Sequence, residues 1–449
     1  MTYVMLEDIL AQVRAALERD DYAAAAAALE PLRAPDQADL FYELEDQHQA
    51  ALLPRLDPED SADILEELED EDAARLVATL TREDAVRIID EMEPDEAADL
   101  LGELEPEHQE DVLSRLEDQA ELRPLLLHAE DTAGGLMTSE YLALGRRMTA
   151  GDALAALQTW KPDAGEIDEV YTIDRHGRLT GMVGMRRLLM EDNAVTLDAI
   201  SDPELVAVHA GADQEEVARL MARYDLTSMP VVNDQGILVG VITIDDVIDV
   251  IEEETTEDFQ RFGGGEPLDQ PYLESGILTV VRKRIGWLLL LFLTETLTGS
   301  VLRHFEAEMA AVVSLAFFIP LLIGTGGNAG SQTTSTIIRA LAVEDLHKRG
   351  FVRPLLHELS IGIVLGGLMG FVAYGRALLW GTGTAVAVTV AVAIFAIVVW
   401  ANVLGAVLPI LAHRLKIDPT VVSGPAMSTL VDATGLFIYF TVAGIILTF

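Results

Sequence analysis

One carboxylate, Asp432, stands inside an apolar run at residues 420–449 that contains no Lys or Arg. A charge in such a place is costly, so a cation or a proton must compensate it and the residue is a functional candidate. A second set lies in residues 320–336 (PLLIGTGGNAGSQTTST), where glycines and polar side chains interrupt another apolar run. Asn328, Gln332 and Thr336 follow at four-residue steps, with Thr333 beside them, which places neutral oxygens at helical spacing. That spacing serves helix–helix hydrogen bonding or cation coordination. Glu295 and Glu358 are secondary candidates, weighted toward structural roles. A third set is the stretch 245–262 (DDVIDVIEEETTEDFQRF), which lacks Gly and Pro and reads as a helix. Asp246, Asp249, Glu253 and Glu257 share one face of it; Asp245, Glu252, Glu254 and Asp258 widen the stripe. Like charges at this spacing oppose one another, so the stripe is either a solvated face or a sink for cations. With neither Cys nor a His cluster to offer softer atoms, hard oxygen ligands select Mg²⁺ or Ca²⁺.

The elements that carry these groups are of two physical kinds. The chain has 449 residues, 75 acidic and 30 basic, for a formal net charge of −45. Its mean hydropathy is nonetheless +0.27. Residues 1–275 hold 67 acids and 19 bases; residues 276–449 hold 8 and 11. An acidic soluble part is therefore joined to an apolar, nearly neutral part. Its negative excess repels phosphate, which excludes nucleic acid as a partner. The absence of cysteine excludes disulfides, thiolate metal sites and cysteine nucleophiles. The first 20 residues carry acids throughout and lack an apolar run after a basic start, so no signal peptide is expected.

Five apolar stretches, at about 285–302, 310–338, 355–379, 384–411 and 420–449, are each long enough to cross a bilayer as a helix. Arg282, Lys283, Arg284, Arg339, Lys348, Arg349, Arg353, Arg414 and Lys416 fall on one side, against Arg303 and Arg376 on the other. The first side is read as cytoplasmic, with the acidic domains inside and the C-terminus outside. Five spans cannot form two equal inverted halves, so a pore is more easily built between two chains. In the soluble part an apolar residue recurs every twelve positions: Leu56, Leu68, Leu80, Met92, Leu104 and Leu116. Pro58, Pro94 and Pro106 suit first helical turns, and the units predict a small helical superhelix. Glu59, Glu71, Glu83, Asp95 and Glu107 take equivalent places near helix N-termini, where the helix dipole favours acids.

Two α/β copies follow. Gly177, Leu179 and Gly181 match Gly236, Leu238 and Gly240, 59 residues later, each within a strand–Gly turn–strand–helix pattern. The sequence SMPVVNDQGILVGVITIDDVI resembles a CBS domain, so the pair resembles a tandem of them. That resemblance implies an adenine-nucleotide site in which Thr243 and Asp246 hold the ribose; Arg186 and Arg187 would meet phosphates. The first copy has Gly184 and Arg187 in place of the Thr and Asp, so at most one site per chain is expected.

Taken with residues 132–138 (TAGGLMT), 327–332 (GNAGSQ) and the run from Asp418-Pro419 to Asp432-Ala-Thr-Gly-Leu, the chain resembles the MgtE family of magnesium channels over nearly its whole length. One departure is Arg339-Ala-Leu-Ala, where the family usually has Arg-Gly-Leu-Ala. The resemblance implies a homodimer with five membrane helices per chain, a pore on the two-fold axis, a connecting plug helix, and closure by cytoplasmic Mg²⁺. Its pore acid falls on Asp432. Its regulatory acids fall on Asp213, Glu215, Asp225, Asp245, Asp246, Asp249, Glu254, Glu257 and Asp258, with Glu59, Glu91 and Asp95 from the repeat domain. Asp213 also fits a plain helix N-cap, with Glu216 three residues on.

The expected architecture is multidomain. An all-α superhelical repeat domain covers 1–130 and tandem α/β CBS domains cover 131–250, about 131–199 and 200–250. A connecting helix occupies 245–270 and a five-helix transmembrane domain 271–449. The expected function is a Mg²⁺-gated channel of the cell membrane, not an enzyme, importing Mg²⁺ down its gradient, with ATP as an implied modulator. Asp432, carbonyls near Pro425 and Thr429, and the amide and hydroxyl groups of Asn328, Gln332 and Thr336 would hold a largely hydrated ion. A divalent ion gains roughly 4.6 kcal/mol per 100 mV on moving inward, and no phosphate-binding GxxxxGK[ST] loop is present. The alternatives are an ion-coupled transporter of divalent metals such as Mg²⁺ and Co²⁺, and a non-conducting membrane-anchored nucleotide sensor.

Overall fold

The computed structural model describes residues 3–159, 169–202, 205–268, 272, 275–343 and 350–447. Lys348 and Arg349 lie outside them. The chain divides into two compact units, Met1–Glu252 and Glu253–Phe449.

The first unit begins with helices α1 (Tyr3–Leu17), α2 (Tyr22–Leu29), α3 (Ala34–Tyr42), α4 (Asp46–Leu52), α5 (Pro58–Glu66), α6 (Asp70–Thr79), α7 (Arg82–Ile89), α8 (Pro94–Glu103), α9 (Pro106–Leu113) and α10 (Gln119–Leu125). The prolines of α5, α8 and α9 sit at the first helical position, where the absent N–H costs nothing. Each helix packs on the one two places ahead, so odd-numbered and even-numbered helices form two rows. The twelve-residue period is thus one short helix plus its turn. Leu56, Leu68, Met92, Leu104 and Leu116 end these units as buried core residues, and Leu80 is half-buried.

Two three-stranded sheets follow, β1 (Ala143–Gly145), β2 (Glu169–Ile173) and β3 (Leu179–Gly184), then β4 (Val208–His209), β5 (Ser228–Val232) and β6 (Leu238–Thr243). In both, the first pair is parallel and the second antiparallel, with a bulge at the same place. Gly177 and Gly236 turn the hairpins at φ +76° and +74°, a region that favours glycine. The sheets join there, as Leu179 N donates to Gly236 O and Leu238 N to Gly177 O. Helices α11 (Ala150–Thr159), α12 (Met185–Met190), α13 (Leu197–Ile200) and α14 (Gln214–Tyr224) complete the pair. The repeat helices, the second α/β copy and the start of α15 (Ile244–Phe262) share one continuous core. Of the 245–270 range expected for the connecting helix, α15 fills the part up to Phe262; Gly264 at φ +82° turns the chain away.

In the second unit, helical segments Ile277–His304, Val313–Ala342, Val352–Leu379, Thr384–Arg414 and Gly424–Leu447 are long and apolar enough to span a bilayer. The third span packs along the fourth, and the second lies against the fourth and fifth. The glycines of the second span do not unwind it; its helix runs unbroken from Ile319 to Val343. They admit neighbours instead. A Cβ on Gly405 of the fourth span would lie 2.7 Å from the Gly330 carbonyl oxygen. Gly405→Ala is therefore expected to force the two backbones apart and cost about 1–3 kcal/mol, read as a lower inactivation temperature in detergent.

Candidate functional site

Behind the second span the polar groups are satisfied. The Thr333 hydroxyl lies 2.8 Å from Asn402 Oδ1 and 3.2 Å from a Glu358 carboxylate oxygen, and all three residues are buried. The Asn402 amide donates to Val398 O, and the Thr334 hydroxyl to Gly405 O. Thr333 and Glu358 thus belong to a knot joining the second, third and fourth spans.

The other face differs. Asn328, Gln332 and Thr336 are exposed along the second span; Pro425 is exposed and Thr429 and Asp432 half-buried on the fifth. The two helices meet where a Cβ on Gly330 would stand 2.8 Å from Met427, and one on Gly327 3.2 Å from Ser428 Oγ. The Thr336 hydroxyl donates to Gln332 O and that of Thr429 to Pro425 O, which leaves their oxygen lone pairs available. Among the described residues no hydrogen bond or ion pair engages Asp432. It lies about 12 Å along the helix from Gly424.

The acids of the first unit are crowded. Asp95, buried, has an Oδ1 with no hydrogen-bond partner. Burial, then the nearby Asp246 and Glu93, pushes its carboxyl well above the usual range. Burial, then Asp95, Asp70 and Asp246, raises Glu96 to about 10. Burial raises Glu93 to about 7, with Glu66, Asp246 and Asp245 adding, and Asp99 to about 7, with Asp70 and Glu130 adding. Asp246 rises to about 6, chiefly by burial, although the Thr243 hydroxyl and N–H both donate to its Oδ2. Asp249 is raised by burial and by Glu252 and Asp245; Glu67 is raised by burial first, with Asp249 adding. Thus α8 presents acids to the start of α15, and among the described residues no ion pair balances Glu93, Asp95, Glu96 or Asp99. Among the described residues no three acids converge as a ready metal cage. The donor set is hard oxygen, suited to a hydrated divalent ion.

The remaining expected regulatory residues lie elsewhere. Glu59, at the first turn of α5, and Glu91, in the turn before α8, are exposed. Asp213 caps α14 by accepting from Glu215 N at 3.0 Å. Asp225 ends that helix in a left-handed conformation, φ +52°. Asp213, Glu215, Asp225 and Asp245 are all exposed. In the second unit Glu254, Glu257 and Asp258 lie on the last turns of α15. Burial raises Glu257 and Asp258; Arg261 opposes both shifts, and Asp418 adds to both. Thr243 and Asp246 bond each other at 2.6 Å, and Arg186 and Arg187 are exposed on α12. Sequence reasoning missed Glu93, Glu96, Asp99, Arg261 and the role of Asp418. The first three stand beside Asp95 in a repeat already flagged for its acids, so spacing around Asp95 was the available signal.

A family model described as a divalent cation transporter matches residues 319–442. A model of the MgtE intracellular N domain matches 32–131, and a CBS domain model 197–253. The magnesium transporter MgtE of Thermus thermophilus is 44% identical over 329 residues, 73% of each chain. That of Bacillus subtilis is 32% identical over 71% of this chain and 70% of its own. A solved cytosolic domain of the Mg²⁺ channel MgtE in complex with ATP superposes with a TM-score of 0.51 at 36% identity, covering 54% of this chain and 99% of that one. The two soluble modules, the polar faces in the spans and these likenesses agree: the chain belongs to the MgtE family of magnesium transporters, a non-enzymatic membrane family.

Proposed function

We propose that the chain is a Mg²⁺-selective channel that admits magnesium down its electrochemical gradient and closes when cytoplasmic Mg²⁺ binds its acidic domains. The observation that carries this reading is the polar face of Asn328, Gln332, Thr336, Thr429 and Asp432 on helices of membrane-spanning length. Such a face is unfavourable against lipid and is accommodated by water or by a second chain. In a homodimer the two faces line one aqueous path, and neutral oxygens with one carboxylate per chain hold a hydrated Mg²⁺ weakly enough to release it. An apolar stripe supports the dimer: Ile244, Ile248, Ile251 and Phe259 of α15 are all exposed. The chain sits in the cell membrane, acidic domains in the cytoplasm and C-terminus outside.

Regulation rests on the acids. Asp95, Asp245, Asp246 and Asp249 with Glu59 and Glu91 of the repeats, Asp213, Glu215 and Asp225 of the second CBS copy, and Glu254, Glu257 and Asp258 farther along α15 take up Mg²⁺. Cation binding favours the compact, closed arrangement, and low Mg²⁺ lets repulsion open it. An adenine nucleotide acts as modulator at Thr243 and Asp246, with Arg186 and Arg187 meeting its phosphates, in line with the ATP held by the related cytosolic domain. Proteoliposome flux tests the whole reading. Uptake should fall at least ten-fold, roughly, when internal Mg²⁺ is raised from micromolar to 10 mM. Flux indifferent to internal Mg²⁺ would refute gating. A reversal potential that tracks pH or Na⁺ would replace the channel by a coupled transporter.

A further inference from the structure

Arg261 is the single basic residue of α15, among eight acids. Its Nη1 donates to Asp418 Oδ2 at 3.0 Å, and its Nη2 pairs with Glu257 one turn back. The Asp418 carboxylate also accepts the Thr420 N–H at 2.8 Å and the Thr420 hydroxyl at 2.6 Å, which closes the turn between the fourth and fifth spans. Just beyond Arg261 the contacts continue to the first residues of the fifth span. The Phe262 ring lies 3.6 Å from where a Cβ on Gly424 would stand. A Cβ on Gly264 would stand 2.6 Å from Trp287 Nε1 and 3.4 Å from Pro425.

We propose that Arg261 is a built-in latch, a positioning residue whose ion pair with Asp418 delivers movement of the connecting helix to the fifth span. One guanidinium holds Glu257 and Asp418, carboxylates that would otherwise repel, and the planar fork suits two acceptors at once. Through the Asp418 turn, a shift of α15 reaches Pro425, then Thr429 and Asp432 on the same helix. The pair is partly exposed, 38% for Arg261 and 34% for Asp418, so it adds little to folding stability and its loss is read in coupling. The inference rests on the gated-channel reading above.

The test compares the full chain with Arg261→Ala and Arg261→Lys in proteoliposomes. Two quantities are measured: the ratio of Mg²⁺ flux at low and high internal Mg²⁺, and Mg²⁺ protection of the soluble part against protease. Arg261→Ala should cut the flux ratio about five-fold or more while protection stays as in wild type. Arg261→Lys, which keeps a charge for Asp418, should retain most of the ratio. A wild-type ratio in Arg261→Ala would overturn the latch. So would loss of ratio and protection together, which would place Arg261 in cation binding rather than in transmission. If the wild type itself ignores internal Mg²⁺, the gating reading fails, an outcome distinct from failure of the latch alone.

Discussion

Proteoliposomes carrying Asp432→Ala or Asp432→Asn should take up Mg²⁺ at least about ten-fold more slowly than wild type, at unchanged yield and elution profile. On the proposed channel reading, the size follows from electrostatics in a wet pore. A carboxylate about 5 Å from a hydrated divalent ion contributes roughly 1.7 kcal/mol at the dielectric of water, and two such groups around a shared axis roughly twice that. Asparagine keeps the shape and removes the charge, so it should behave like alanine; Asp432→Glu should recover part of the flux. Asn328→Ala and Gln332→Ala should cost less, because each removes only a neutral dipole. Wild-type flux in Asp432→Asn would sink the pore assignment. The same variant should still show a Mg²⁺-dependent protease pattern in its soluble part, since Asp432 is on the fifth span and the acids of α8 and the start of α15 belong to the other compact unit.

How much of this was legible follows from what each signal depends on. The twelve-residue apolar period is a local property, and the two rows of short helices reproduce it with Leu56, Leu68 and Leu104 in the core. Matched glycines 59 residues apart located both hairpins, because a left-handed turn at Gly177 and Gly236 leaves a sequence trace. Span lengths were readable for the same reason. Burial of particular carboxylates was not. Glu59 and Asp95 hold the same position in the repeat, yet one is exposed and the other buried with an unpartnered oxygen. Only the tertiary packing that brings Asp246 near α8 separates them. Likewise Thr333 and Thr336 look equivalent in sequence, and a rotation of about 300° around the helix sends one into the Glu358–Asn402 knot and leaves the other open. Arg261 leaves no such trace, because a lone cation in an acidic helix gains its meaning from Asp418, 157 positions away.

The acid crowding in the first unit makes the second large prediction, and its sign can be worked out. Asp246, Glu93, Asp99 and Glu96 have carboxyls raised to about 6, 7, 7 and 10, and Asp95 is raised as well. Groups raised on folding bind more protons in the compact state than in the unfolded one. Their contribution is fully present below the unfolded value near 4 and is lost as pH climbs through the folded values. The compact unit should therefore loosen between about pH 6 and pH 10 when no divalent ion is present. One extra bound proton tilts stability by about 1.4 kcal/mol per pH unit; partial exposure and screening trim this, so about 2 kcal/mol between pH 6 and 9 is expected. Hydrogen exchange in α8 and at the start of α15 would read it. Adding 10 mM MgCl₂ at pH 9 should restore protection, because a divalent cation does there what protons do at pH 6. Sodium chloride at the same ionic strength should restore far less, since screening acts weakly on buried charge. The pair Glu96→Gln with Asp99→Asn should flatten the pH dependence and reduce the Mg²⁺ effect together. If sodium matched magnesium, these acids would be a screened surface and not a sensor, and the closing signal would have to come from the other proposed acids, Asp213, Glu215, Asp225, Glu254, Glu257 and Asp258 among them.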